Sequence, residues 1–103
     1  MATSKIVQWG NGATGVTSAT GYSDAAYAPY PTKTLQAFLK TGTQATGVVW
    51  GSIDGNVRHQ LGTLTLSGTN GEDAYTGVSA YNYLFLDITG ITGSTVEAFA
   101  RST

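Results

Sequence analysis

The sequence predicts an all-β fold: an antiparallel β-sandwich of about eight short strands, formed as a single domain over residues 1–103. Three observations carry this. Glycine supplies 14 of 103 residues, about twice the usual ~7%, and threonine supplies 17. Charged residues make up only 11%, against a typical ~25%. Short alternating apolar runs are separated by polar and glycine-rich turns at a spacing of roughly 8–12 residues, the cadence of a sandwich.

Taken in order, residues 5–9 (KIVQW) alternate and read as a first strand, and residues 1–15 form an N-terminal strand or arm. Gly10, Asn11, Gly12 and Gly15 then break the chain. Residues 16–30 are small and carry Tyr22, Tyr27 and Tyr30. Pro29 and Pro31 bar a central strand there, so this stretch reads as one short strand and an irregular connection. Residues 34–40 (TLQAFLK) fit a helix through Leu35, Phe38 and Leu39, and a strand through Leu35, Ala37 and Leu39. Seven residues are short for a helix, so the strand is preferred.

Residues 45–52 form a strand leading into Asp54-Gly55, a tight-turn dipeptide. Residues 61–66 (LGTLTL), 74–78, 83–88 (YLFLDI) and 96–101 (VEAFAR) are further strands, joined by the polar stretches 67–73 and 89–95.

Several function classes are disfavoured. Lys and Arg total 5, unclustered, with a net charge of −1, so no basic stripe exists to neutralise phosphates and nucleic acid is not an expected partner. No run approaches the ~18 apolar residues of a membrane helix. Residues 1–6 lack the apolar core of a signal peptide. There is no cysteine and one histidine, which removes disulfide frameworks, thiolate metal sites and multi-histidine centres. His59, between Arg58 and Gln60, reads as a surface strand residue. Asp54 reads as a turn residue, with Gly55 as its partner. Glu72-Asp73 reads as a loop tip. The glycines near residue 12 open no helix, as a dinucleotide site requires. No enzyme activity, cofactor or metal is expected.

The pleat separates two kinds of row. Leu64, Leu66, Leu84, Leu86 and Ile88 fall on charge-free rows and are assigned to the core, because unpaired buried charge is costly. The opposite rows hold Phe38, Phe85 and Phe99 beside polar neighbours, with Tyr83 in line with Phe85. All three phenylalanines on outward faces point to a protein interface. Trp50 reads as core.

Residues 50–55 (WGSIDG), 61–69 (LGTLTLSGT) and 81–93 (YNYLFLDITGITG) resemble the small jelly-roll β-sandwich modules of tailed-phage structural proteins. The resemblance covers residues 45–100 well and 1–44 loosely. Arg58-His59-Gln60 departs from it, standing where such modules often carry a tryptophan. It implies a non-enzymatic capsid decoration (cement) protein on the virion surface, assembled in the host cytoplasm, with the major capsid protein as partner and a homo-oligomer, a trimer favoured, as its state. The alternative it implies is a carbohydrate-binding jelly-roll module of a head fibre or tail appendage, with a glycan seated on Tyr27, Tyr30, Tyr81 or Tyr83.

Overall fold

Strand pairing is nested about the middle of the chain. The structure is a computed structural model that describes the backbone of residues 7–9, 21–22, 26–91 and 94–103, with side chains for 27–91 and 94–103. The described strands are β1 (Val7–Trp9), β2 (Gly21–Tyr22), β3 (Ala26–Tyr27), β4 (Thr32–Thr41), β5 (Gln44–Ser52), β6 (His59–Ser67), β7 (Glu72–Val78), β8 (Tyr83–Ile91) and β9 (Thr95–Ser102). β5 pairs with β6, β4 with β7, β2 and β3 with β8, and β1 with β9, all antiparallel. The chain is thus one antiparallel ribbon wound over itself, the jelly-roll plan. Pairing of β9 to β4 and of β8 to β5 then makes two sheets. One runs β1-β9-β4-β7. The other runs β8-β5-β6, with β2 and β3 on the outer edge of β8.

The strand count differs from the sequence expectation. Among the described residues six strands, β4 to β9, are long and form two three-stranded sheets; the other three are segments of two or three residues. The long strands overrun their expected ends because threonines pair across them. Thr46 Oγ1 lies 3.1 Å from Thr89 Oγ1, and the Thr41 hydroxyl donates to Thr95 Oγ1 at 2.9 Å. Segments that look like polar loops therefore continue the ladder. Residues 34–40 lie within strand β4, since Leu35, Ala37 and Leu39 are all needed on one face. Of residues 1–15, expected as a strand or arm, only β1 lies within the described residues.

The core lies between the sheets. Leu35, Ala37 and Leu39 of β4, with Val96, Ala98 and Ala100 of β9, face Val49 of β5, Leu64 and Leu66 of β6, and Leu84, Leu86 and Ile88 of β8. Full burial of one such leucine is worth about 1.5–3 kcal/mol. The open side of the sandwich, where β6 and β7 are edge strands, is covered by side chains. The Asp73 carboxylate accepts the Thr65 amide at 3.0 Å. The Tyr75 ring lies so close over Gly62 that a Cβ there would stand 2.9 Å from it. Both devices mask edges that would otherwise template strand pairing.

At one corner Gly42 has φ +85°, and a side chain there would overlap Ser94. Glycine is required at this position on both counts.

Candidate docking surface

The antiparallel order brings three connections to one end of the sandwich: residues 28–31, 53–58 and 79–82, together with the end of β9. The large exposed apolar side chains of the described residues all stand there. They are Tyr27 (59% exposed), Ile53 (64%), Val57 (78%) and Val78 (76%). Scattered singly they would need no explanation, but all four stand at one end of the sandwich, which makes that end the candidate for protein contact.

The loop that presents two of them is fixed from within. Asp54-Gly55 is not a two-residue turn but part of the six-residue connection 53–58. Gly55 takes φ +83°. Asp54 Oδ1 accepts the amides of Asn56 at 2.8 Å and Val57 at 3.0 Å, and the Ser52 hydroxyl at 3.0 Å. Ser52 Oγ in turn accepts the amides of Gly55 and Asn56. Asn82 ties the loop to the next connection, donating its backbone amide to Ser52 O and its side-chain amide to Ile53 O. The backbone amides of Asn56 and Val57, then the Ser52 hydroxyl, hold the Asp54 carboxyl below the usual carboxylate range. The carboxylate is thereby committed to shaping the loop.

A cleft of about 370 Å³ opens beside it, lined by Ile53, Asp54, Val57, Arg58, His59 and Tyr81. The exposed His59 ring stacks on Tyr81, with centroids 6.1 Å apart. Tyr27 meets Tyr83 at 5.5 Å. These contacts hold the rings in fixed positions, which lowers the entropy lost on binding a partner.

The same end is pinned by a buried cation. Lys33 is 1% exposed, and its ammonium donates to Tyr30 O at 2.7 Å and Ser79 O at 2.8 Å. Burial lowers its pKa. Lys33 thus joins the connection before β4 to the one after β7.

The sequence-predicted interface residues divide. Phe85 is outward by register, beside Tyr83 and Asp87, but is only 3% exposed. The Arg58 guanidinium carbon sits 4.4 Å above its ring, and the 53–58 loop folds over that row. Phe85 is therefore packed beneath a cation rather than offered to a partner, which corrects the expectation. Tyr83 is half-buried. Phe38 and Phe99 are half-buried on the outer face of the other sheet and stack at 6.1 Å with planes 9° apart. Trp50 is also not core; it is half-buried on the outer face, in register with Phe85.

Ile53, Val57 and Val78 were not singled out from sequence. The available signal was two β-branched apolar residues flanking Asp54-Gly55, where a turn ordinarily takes polar ones. Asp54, Glu72, Asp73 and Glu97 have structural partners, and the glycines at 10–15 lie outside the described residues. Asp54 and Asp73 cap backbone amides, Glu72 accepts from Gln36 at 3.2 Å, and Glu97 lies 3.8 Å from Lys40. Among the described residues no group of three or more His, Asp or Glu side chains converges as a metal site.

No protein-family model matches the chain, and no characterised protein matches it in sequence. In fold, the chain is similar to one from the structure of Bacillus endospore appendages, which form a family of disulfide-linked pili. The TM-score is 0.54 at 16% identity, over 97% of this chain and 82% of the other. At that identity the likeness concerns the β-sandwich fold.

Proposed function

We propose that this chain is a non-enzymatic structural module that docks end-on against an ordered protein assembly. The observation carrying this is the gathering of Tyr27, Ile53, Val57 and Val78 at one end of the sandwich, the first and last on strand ends and the middle two on a connection held by hydrogen bonds. A rigid apolar knob is what a lattice-binding protein needs, because each contact then adds to the stability of the assembly by linkage. The finer reading is a capsid decoration protein, bound to a major capsid protein on the virion surface. It draws on the resemblance of residues 45–100 to phage jelly-roll modules.

The fold likeness to a pilus-forming protein favours a second reading, a subunit of a surface filament. The 103 residues contain no cysteine, so any filament they build is held without disulfides of their own.

The test adds purified chain to purified phage shells that lack a decoration layer and counts bound copies by electron cryo-microscopy. Binding that saturates, and that Ile53→Ser with Val57→Ser abolishes, supports decoration. Filaments from the chain alone support the second reading. A monomer that ignores shells and labels a glycan array through Tyr27 or Tyr81 overturns both.

A further inference from the structure

The outer face of the β1-β9-β4-β7 sheet carries an ordered pattern and meets the apolar end at Val78, which follows Thr76 on the same row of β7. Register places Glu72, Phe38 and Glu97 in one row across it, then Ala74, Gln36 and Phe99, then Thr76, Thr34 and Arg101. Exposed Glu72 and exposed Arg101 therefore stand at opposite corners, about 17 Å apart for strand spacings of ~4.8 Å and rises of ~3.4 Å. The stacked pair Phe38–Phe99 lies between them. A groove of about 340 Å³, lined by Thr34, Gln36, Phe99, Ala100 and Arg101, runs beside it.

This arrangement is complementary to itself. A twofold axis in the plane of the face, passing by Gln36, sets Arg101 of one copy over Glu72 of a second copy and Glu72 over its Arg101. On the same strand lattice that axis also lays Phe38 of each copy over Phe99 of the other. One operation sets opposite charges together at two corners and lays the aromatic rings over one another, while Glu97, which the same axis returns onto itself, is buried and paired with Lys40. We infer that this face is where two copies of the chain associate, with Arg101 and Glu72 exchanged across the twofold and the Phe38–Phe99 pairs interleaved. The inference deepens the structural reading above and rests on it, but its contacts are made by Glu72, Arg101, Phe38 and Phe99, none of them among the four apolar residues of the docking end.

The experiment is sedimentation velocity on the full chain at low salt, with each variant checked for its β spectrum by circular dichroism. Wild type sediments as a dimer. Arg101→Glu and Glu72→Arg each sediment as monomers, because each homodimer now sets like charges together. Their equimolar mixture recovers the dimer, since Glu at 101 then faces Arg at 72. Raising salt weakens the wild-type dimer. A wild type that stays monomeric, single variants that remain dimeric, or a mixture that remains monomeric overturns the inference. Ile53→Ser with Val57→Ser leaves the dimer intact, so loss of lattice docking and loss of self-association are read separately.

Discussion

Replacing Lys33 with methionine keeps the length of the buried stem and deletes the ammonium. Two charge-assisted hydrogen bonds disappear, to Tyr30 O and Ser79 O. Bonds to a charged group are worth about 1.5–3 kcal/mol each, so about 3–6 kcal/mol is lost in all. Relief from burying the cation offsets part of that loss. The side chain is 1% exposed, so water does not readily replace the donor at both carbonyls. The expected net cost is about 2–4 kcal/mol. For a domain near 100 residues, that lowers the melting temperature by about 10–30 °C. Urea melts followed by circular dichroism measure it as a fall in midpoint at unchanged slope.

The same residue sets an alkaline dependence. Its folded pKa lies below the ordinary value of 10.5, so between the two the unfolded chain holds more protons. Stability of the wild type therefore rises with pH across that window, and Lys33→Met lacks the rise. A variant as stable as wild type at neutral pH would refute the claim that Lys33 pins the end of the sandwich, and an equal pH slope in both would refute the lowered pKa.

Three further outcomes follow from the packing. Leu86→Ala, on β8 in the core between the sheets, costs about 2–5 kcal/mol by chemical denaturation. Phe85→Ser destabilises the fold itself by about 3–5 kcal/mol, because the ring is packed under Arg58, so its melt moves before any assembly assay is run. Gly42→Ala costs about 2 kcal/mol or more in the same melts, from a left-handed backbone and an overlap with Ser94.

Alternation carried much of the fold into view. Leu84, Leu86 and Ile88 lie on one row of β8 and are buried as their spacing requires. Strand ends were less legible, because threonine serves equally in loops and in cross-strand hydroxyl pairs, as Thr46 and Thr89 show. Phe85 marks a different limit. Its row is outward, but a loop distant in the pleat pattern returns Arg58 over it, and periodicity carries no record of that return. The exposed end was hidden for a related reason. Tyr27, Ile53, Val57 and Val78 lie on separate segments, and only the nested strand order brings them together. Lys33 lies just before the strand expected at 34–40, and only the extension of β4 back to Thr32 puts it on the inward row, where it binds two carbonyls.

Whether the chain works by its apolar end is read from an electron cryo-microscopy map of the native assembly that contains it. In that map Tyr27, Ile53, Val57 and Val78 are expected buried against a neighbouring protein, with the outer face bearing Phe38 and Phe99 turned toward another copy. A map in which that end projects into solvent while the chain is held elsewhere would contradict it.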